Sequence, residues 1–352
     1  MANLWMDKLR QIDPYVPGEQ SKDPDLVKLN ANENPYPPSP RVGEAMRQFR
    51  AERLRFYPDA NSGNLRAALA KKFGVSGDMI FMGNGSDDVL ALCWQAFFCS
   101  DLPILYPDIT YSFYPVWCSL FRTPYENVPL TEDFRIDPRS FDKPNGGVIF
   151  PNPNAPTGIG EGLDFIEDIL RHNQDCIVII DEAYIDFGGT SCIPLLEKYD
   201  NLVVVQTMSK SRSLAGLRVG YAIAAPELIA TLEAVKNSYN SYTMDMLTLD
   251  CATASVEDEE YFQTSCRKVI ATRERISAAL AELGFTVLPS QSNFLFATHQ
   301  TVPAKTIFEK LKAKKIFVRY FRLPRIDNYL RITIGTDTEM DKLLSGLKEI
   351  LQ

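Results

Sequence analysis

Short apolar runs that alternate with helix-forming segments constrain the fold of this chain more than any other feature of its sequence. Such runs, rich in Ile and Val, occur at ILYP, VIFP, CIVIID and LVVV. They are too short for helices and they end at turn or polar residues, so we interpret them as buried strands. Between VIFP and CIVIID lies a helix pattern over residues 165–170, with Ile166 and Ile169 on one face. This alternation predicts an α/β fold with a mostly parallel sheet flanked by helices.

The order of these patterns divides the chain into three predicted regions. Residues 1–40 are rich in Pro and Asn and predict an irregular arm that packs on the small domain or on a partner subunit, which favours a dimer. Residues 41–245 carry the strand and helix alternation and form a large domain. From residue 246 to residue 352, helices alternate with short strands near FLFAT, IFVRYF and LRITIG, which predicts a smaller α+β domain.

Composition excludes several classes of protein. A net charge of -8 argues against broad binding to nucleic acid or anionic membranes. No apolar run approaches the length of a membrane span, and the N-terminus lacks a signal-peptide core. The seven cysteines are scattered without a CxxC pair, which predicts reduced thiols and a cytoplasmic location. With two histidines and no metal-ligand spacing, the sequence predicts neither a metal site nor a Ser-His-Asp triad.

A polar cluster follows the LVVV strand and contains Thr207, Ser209, Lys210 and, eight residues later, Arg218. A lysine that is desolvated near another cation loses its proton more readily and becomes a nucleophile for carbonyl groups. Hydroxyl groups and an arginine can hold a phosphate. An aldehyde and a phosphate together suggest pyridoxal 5′-phosphate, although a solvated loop lysine is the alternative at this point.

Other strand ends supply the remaining groups that such a cofactor needs. Asp181 follows the CIVII run and would face the pyridine nitrogen, which it would keep protonated. Tyr184 lies three residues later and would donate to the ring oxygen, together with an asparagine of PNPNAPTG. Each residue has a structural alternative, because Asp181 could cap a helix and Tyr184 could belong to the core.

The glycine-rich segment GNGSDD precedes a predicted helix that begins near Ser86. Free N–H groups at Ser86 and Asp87 and the positive end of the helix dipole would suit the cofactor phosphate. A glycine turn with Ser86 as the helix N-cap is the alternative. In the aromatic segment ITYSFY, Tyr111 could either stack on a flat cofactor ring or contribute to packing.

Taken together, the motifs resemble the fold-type I pyridoxal-phosphate-dependent aminotransferases and, among them, the histidinol-phosphate aminotransferase family. The resemblance covers nearly the whole chain and is carried by NANENPYPPSP, YPD, GNGSDD, NAPTG, DEAYIDF, TMSKSRSLAGLRVGYA, PSQSNFLF, VRYF and YLRITIGT. It implies an aspartate aminotransferase-like fold and a homodimer with small-molecule substrates. Transamination would interconvert L-histidinol phosphate and 2-oxoglutarate with imidazole acetol phosphate and L-glutamate in histidine biosynthesis.

The resemblance also implies a role for each matched residue. Lys210 would form the Schiff base with the cofactor and then move the proton between the substrate carbon and C4′. The pyridine nitrogen, the ring oxygen and the ring face would be contacted by Asp181, Tyr184 and Tyr111. The cofactor phosphate would be bound by Ser86, Asp87, Thr207, Ser209, Arg218 and, from the other subunit, Tyr57. Substrates would be bound by Tyr15, Asn32, Asn293, Arg319 and Arg331, with the two arginines holding the anionic end.

One position departs from the family pattern. The asparagine that contacts the ring oxygen in the family precedes the proline of NPTG, and here that position is Ala155. Asn154 is one residue earlier and could replace it if the turn shifts.

Three other functions remain possible from the sequence. An aromatic amino acid aminotransferase and a phosphothreonine decarboxylase share these motifs, and pocket shape decides between them and the histidinol phosphate reaction. A cofactor-binding regulatory module is disfavoured because the chain has no helix-turn-helix extension and no basic patch.

Overall fold

The computed structural model describes residues 5–16, 19, 23 and 25–352. The strands are Val27–Lys28 (β1), Ile80–Gly83 (β2), Ile104–Pro107 (β3), Tyr125–Val128 (β4), Gly147–Pro151 (β5), Val178–Asp181 (β6), Leu202–Thr207 (β7), Gly220–Ala224 (β8), Phe285–Val287 (β9), Phe294–His299 (β10), Ile316–Phe317 (β11), Arg319–Tyr320 (β12) and Leu330–Thr333 (β13). The α-helices are Pro40–Gln48 (α1), Gly63–Phe73 (α2), Ser86–Phe97 (α3), Tyr114–Phe121 (α4), Leu163–His172 (α5), Pro226–Asn237 (α6), Met246–Glu257 (α7), Glu259–Glu282 (α8), Ala304–Ala313 (α9) and Asp337–Leu351 (α10).

The large sheet has the strand order β2-β8-β7-β6-β5-β3-β4, and among these described strands β8 alone runs opposite to the others. The position of β7 in the sheet explains why its sequence is mostly apolar. Leu202 and Val204 face one core, whereas Val203 and Val205 face the core on the opposite side of the sheet. A parallel strand covered on both faces needs apolar residues at every position. The predicted α/β fold with a mostly parallel sheet is confirmed.

A second sheet, with the order β12-β13-β10-β9, is antiparallel and belongs to a separate core. That core receives Val269 and Ile276 from α8 and Leu343 from α10. It forms the smaller α+β unit. Helix α10 begins with a capping box in which Thr336 and Glu339 satisfy each other's backbone N–H groups.

The packing of α7 bears on the boundary between the two units. The boundary predicted at residue 246 assigns α7 to the small domain, but Leu249 and Val256 of this helix join the core that contains Val42 of α1 and Leu69 of α2. We therefore propose that the small domain begins near Asp258, which caps α8.

The described part of the N-terminal arm contacts both units. Strand β1 pairs in parallel with β11 of the small unit. Upstream, the ring of Tyr15 stacks on Phe113 of the large unit with centroids 4.3 Å apart. The remaining positions of the predicted arm, 1–4, 17–18, 20–22 and 24, lie outside the described residues.

Candidate active site

The predicted site residues meet at one edge of the large sheet, where its parallel strands end. Asp181 is the last residue of β6, and Lys210 comes three residues after β7. The segments after β2, β3 and β5 carry Ser86, Tyr111 and Asn154. The carboxyl ends of parallel strands are where α/β sheets bind ligands, because the loops there converge.

Lys210 lies in a half-buried position beside the arm. Its Nζ is 3.5 Å from the carbonyl oxygen of Ala31 and 5.9 Å from the centre of the Tyr184 ring. The backbone of the lysine is held from the other side, since Asn34 Nδ2 donates to the carbonyl oxygens of Lys210 at 3.0 Å and Ser211 at 3.2 Å. The backbone at Lys210 is therefore held at the wall of the cleft, and the amine has no carboxylate partner among the described residues.

Asp181 is a buried carboxylate with incomplete hydrogen bonding. Its Oδ1 accepts from the backbone N–H of Ala183 and its Oδ2 from the hydroxyl of Tyr114, both at 3.2 Å. Burial raises the pKa of Asp181 to about 7, and the nearby Asp87 and Glu182 add to this rise. A cation placed beside this carboxylate would lower its pKa again, so the site is suited to a positively charged ring nitrogen.

Tyr184 connects the cofactor side of the cleft with the substrate side. Its hydroxyl oxygen accepts from Asn32 Nδ2 at 2.9 Å, and its ring packs edge-on against Phe294. Asn32 has a left-handed backbone (φ 53°), and its side-chain oxygen accepts from the Thr333 hydroxyl at 3.1 Å. The Tyr184 proton thus remains free to donate to a ligand, while the position of the hydroxyl is fixed by Asn32.

The predicted phosphate ligands form a cradle at the start of α3. Ser86 and Asp87 open the helix, where backbone N–H groups have no intrahelical acceptor. Thr207 Oγ1 lies 3.0 Å from Ser209 Oγ, and Arg218 Nη1 lies 3.4 Å from the same Ser209 oxygen. The structure brings together the five residues that the sequence predicts for the phosphate within one chain; the sixth, Tyr57, is predicted to act from the other subunit.

Glycines give this cradle its shape. A Cβ atom at Gly85, which has φ 88°, would lie 2.4 Å from Arg218 Nη2. A Cβ atom at Gly220 would lie 2.3 Å from the backbone carbon of Gly85 and the nitrogen of Ser86. Because only glycine allows the backbone to approach so closely, these residues keep the N–H groups and the arginine exposed to a bound anion.

The side chain of Asp87 and its backbone N–H group have different roles in the cradle. Its carboxylate pairs with Arg218 at 3.2 Å and accepts from the Tyr111 hydroxyl at 2.8 Å. Burial, followed by the charge of Asp87, raises the pKa of Tyr111 well above its usual value, so this hydroxyl remains a donor. Asp87 therefore orients Arg218 and Tyr111, and only its backbone N–H is suited to a phosphate.

The asparagine predicted for the ring oxygen is engaged within its own turn. Asn154 Nδ2 donates to the carbonyl oxygen of Ile109 at 3.0 Å and to Thr157 Oγ1 at 3.1 Å, and its buried Oδ1 has no recorded partner. Ala155 packs in the same apolar cluster as Tyr184. The role of Asn154 toward the ring oxygen stays a prediction, and its amide hydrogens would have to leave these acceptors to fulfil it.

Two arginines on neighbouring strands dominate the substrate side. Arg319 of β12 and Arg331 of β13 are directly paired in register. Arg331 donates to the carbonyl oxygen of Asn30 at 3.2 Å, but its buried Nε has no partner. Burial lowers the pKa of Arg331, and Arg319 lowers it further. Within the described residues neither arginine has a carboxylate partner, so an anionic ligand would supply the missing charge.

The other predicted substrate residues border this arginine pair. Asn293 is fully buried, donates to the carbonyl oxygen of Asn32 at 2.9 Å and has an unpartnered Oδ1. Tyr15 of the arm and Tyr184 both lie close to Arg331, so the arm borders the pocket.

Tyr57 lies outside this group, at the mouth of the cleft. It is 77% exposed and stacks on Tyr242 with centroids 4.5 Å apart. An open cleft of about 470 Å³ includes Tyr57 and Arg218 in its lining. That Tyr57 binds the cofactor phosphate of the other subunit stays a prediction.

Sequence reasoning missed Tyr114 and Asn34. Both lie within motifs that were singled out, ITYSFY and NANENP, but neither motif indicates which partner each side chain reaches. Among the described residues no cluster of three or more His, Cys, Asp or Glu side chains could bind a metal ion. No described helix combines the length and hydrophobicity required to cross a membrane.

Comparisons with known proteins agree with one another. A family model described as aminotransferase class I and II matches residues 24–347. The histidinol-phosphate aminotransferase of Acinetobacter baumannii (strain SDF) is 54% identical over 349 residues, covering 98% of this chain and 97% of that protein. Histidinol-phosphate aminotransferase 2 of Dechloromonas aromatica (strain RCB) is 52% identical over 354 residues, with 99% of each chain covered. A solved histidinol-phosphate aminotransferase of Sinorhizobium meliloti, in complex with pyridoxal-5′-phosphate, superposes with a TM-score of 0.82 at 26% identity, covering 92% of this chain and 90% of that chain.

Proposed function

This chain belongs to the class I and II aminotransferases, and from that membership we propose that it transfers an amino group from L-histidinol phosphate to 2-oxoglutarate. Curated relatives that are 50–54% identical over nearly the whole chain bear the name histidinol-phosphate aminotransferase. The structural observation that carries the proposal is the Arg319–Arg331 pair, which has no carboxylate partner within the described residues. A guanidinium can hold either a phosphate or a carboxylate, so one site could accept both substrates in turn.

The proposed cofactor is pyridoxal 5′-phosphate, and the residues present fit it. When bound, it supplies an aldehyde that links to an amine and an electron-accepting ring. The glycine-shaped cradle at Ser86 and Arg218 would hold its phosphate, and the buried Asp181 would face its ring nitrogen. Tyr184 has a free proton for the ring oxygen, since its own oxygen already accepts from Asn32.

Lys210 is the proposed catalytic base and the residue that binds the cofactor covalently. Its Nζ has the Ala31 carbonyl as its recorded hydrogen-bond partner and lies beside the Tyr184 ring. Because Asn34 holds the backbone at Lys210 and Ser211, the side chain would be able to move between cofactor and substrate while its backbone stays in place. Tyr111, oriented by Asp87, would cover the ring face and help to exclude water.

A homodimer is part of the proposal. Exposed apolar side chains surround the mouth of the cleft; they are Leu54, Phe56, Tyr57 and Tyr242. A patch of this kind beside a binding cleft is typical of a protein interface. A second copy of the chain that covered this patch would bring its own Tyr57 near the phosphate cradle of the first. A cytoplasmic location is also proposed, in keeping with the free cysteines of the chain.

The first experiment is a half-reaction with the purified protein loaded with pyridoxal phosphate. L-Histidinol phosphate alone should convert the visible absorption band to that of the aminated cofactor at far lower concentration than phenylalanine does. The opposite preference would assign the chain to the aromatic amino acid aminotransferases. Release of carbon dioxide from phosphothreonine, without amination of the cofactor, would indicate the decarboxylase.

Lys210→Ala tests the assignment of the base. The variant should bind pyridoxal phosphate without the absorption band of the lysine-linked form and should complete no second turnover. Lys198→Ala, which removes an exposed lysine paired with Glu167, is the matched control and should behave as wild type. Multiple turnovers by Lys210→Ala would contradict the assignment.

A further inference from the structure

Tyr114 is a buried tyrosine in direct contact with the proposed ring-nitrogen partner. It is the first residue of α4, its side chain is fully buried, and its hydroxyl donates to Asp181 Oδ2 at 3.2 Å. The other carboxylate oxygen accepts from the N–H of Ala183. The two oxygens of Asp181 are thus held by different elements, a helix that follows β3 and the turn that follows β6.

The ring of Tyr114 has little freedom to move. Aromatic neighbours surround it, with centroids 5.6 Å away at Trp94, 5.7 Å at Tyr106 and 5.8 Å at Tyr111. Tyr111 is the ring predicted to cover the cofactor, and it meets Tyr114 edge-on at 89°. A rigid aromatic cluster therefore fixes the direction from which the hydroxyl approaches Asp181.

The electrostatic setting shows what this hydrogen bond does. Burial, followed by the charge of Asp181, raises the pKa of Tyr114 well above its usual value, so the hydroxyl remains protonated and acts as a donor. Asp87 and Glu182 are the acidic groups that raise the pKa of Asp181, whereas the Tyr114 hydroxyl and the Ala183 N–H lower it. A neutral donor stabilises the carboxylate without supplying a positive charge, and the role of counter-ion is left to the ring nitrogen.

We propose that Tyr114 is a positioning residue that holds the carboxylate of Asp181 ionised and aimed at the ring nitrogen of the cofactor. This inference rests on the proposed function, because it requires that Asp181 face that nitrogen. The need to satisfy a buried hydroxyl does not by itself explain the contact. In the same cluster, the buried Trp94 Nε1 and Tyr106 hydroxyl have only the Cys118 thiol beside them, so the cluster accommodates polar atoms that reach no carboxylate.

The test compares Tyr114→Phe with Tyr106→Phe, which removes a buried hydroxyl from the same cluster without touching Asp181. For each loaded variant, the dissociation constant of pyridoxal phosphate is measured by equilibrium dialysis. The visible band of the lysine-linked cofactor is then titrated with pH.

Tyr114→Phe should weaken cofactor binding about tenfold, as expected for a hydrogen bond to a buried charge. The pH midpoint of the band should rise by about half a unit. When the ring carries less positive charge, the nitrogen that links it to Lys210 holds its proton more tightly. In turnover, kcat should fall while KM for the amino donor changes less than twofold.

A second comparison removes the acceptor. In the Asp181→Asn background, adding Tyr114→Phe should change cofactor affinity less than twofold, since the hydrogen bond to a carboxylate is already lost. A tenfold loss in that background as well, or Tyr114→Phe behaving like Tyr106→Phe in all three readouts, would overturn the inference. These outcomes are distinct from failure of the proposed function, which would appear as absence of cofactor binding by the wild-type protein.

Discussion

At the scale of single residues, this site depends on charges that the folded chain leaves without full compensation. Asp181 is buried with two neutral donors, and Arg331 is partly buried, with an unpartnered Nε and no carboxylate partner among the described residues. Each arrangement costs stability in the empty protein and becomes favourable when an oppositely charged ligand arrives. Burial of these two charges is therefore a property that we attribute to function rather than to folding.

The first prediction concerns the pH dependence of the cofactor-free protein. An unfolded Asp ionises near pH 4, whereas burial raises the pKa of Asp181 to about 7 in the folded chain. Its contribution to stability is therefore fully present below pH 4 and is lost as the pH rises to 7. Asp181→Asn should raise the thermal midpoint at pH 8 by about 5 °C and leave it nearly unchanged at pH 4. Calorimetry of both cofactor-free proteins at the two pH values measures this, and an equal effect at both would contradict it.

The second prediction concerns recognition of the anionic substrate. Arg331→Gln removes a partly buried fork of donors, and KM for L-histidinol phosphate should rise about 50-fold, with a smaller fall in kcat. Arg331→Lys keeps the positive charge without the fork of donors, so its KM should lie between those of Arg331→Gln and the wild type. Arg171→Gln, on the exposed face of α5, is the control. Steady-state kinetics distinguish these cases, and an unchanged KM in Arg331→Gln would remove this residue from the substrate site.

At the scale of elements, the cradle is made where strand β8 crosses the start of helix α3. Gly83 of β2 pairs with Gly220 of β8, and the loop that follows Gly83 leads directly into α3. Close contact between these backbones leaves the N–H groups of the first helical turn accessible. The proposed phosphate site is thus formed by two packed elements, and a single added side-chain carbon would close it.

The third prediction tests this contact. Gly220→Ala would place a Cβ atom 2.3 Å from Gly85 and Ser86 backbone atoms, so the loop must move. The affinity for pyridoxal phosphate should fall at least tenfold, since the displaced N–H groups no longer converge on one anion. Gly216→Ala is the matched control, because a Cβ atom there meets nothing within 4 Å. Equilibrium dialysis gives both constants, and equal affinity in the two variants would show that the close approach is unimportant.

At the scale of the whole molecule, we propose that the exposed apolar patch at the mouth of the cleft links assembly with activity. Phe56 is 60% exposed and Tyr57 is 77% exposed, and both line the same cleft as Arg218. A second copy of the chain would bury these rings. The proposed site would then be complete only in the dimer, because Tyr57 would serve the neighbouring cradle.

The fourth prediction follows from that arrangement. Phe56→Glu should shift the protein from dimer to monomer in sedimentation velocity at micromolar concentration, because a buried unpaired charge opposes association. Cofactor affinity should fall at the same time, since the partner's Tyr57 is lost. Leu102→Glu, at an exposed apolar position outside this patch, should alter neither property. A monomeric wild-type protein with full activity would refute the link between assembly and the site.

Much of the large domain could be predicted because its signals are local. The mostly apolar strand β7 indicates burial on both faces, and Gly74, which ends α2 in a left-handed conformation, is a helix stop that can be read from the residue type alone. The boundary between the two units, predicted near residue 246, depends on packing rather than on local signals. Helix α7 has an ordinary helical pattern, and only its packing against α1 and α2 shows which core it joins.

The sequence by itself determined the α/β alternation and provided the candidate residues of the site, because strand runs and reactive side chains are readable within a few residues. Only the tertiary structure decided which groups meet. Asn34 reaches Lys210 across 176 residues, and Tyr114 reaches Asp181 across 67. The second contact exists because the strand order places β3 beside β5 and β5 beside β6, so that α4 begins close to the end of β6. Hydrogen bonds act over about 3 Å, whereas a sequence pattern reports burial and periodicity without naming the partner.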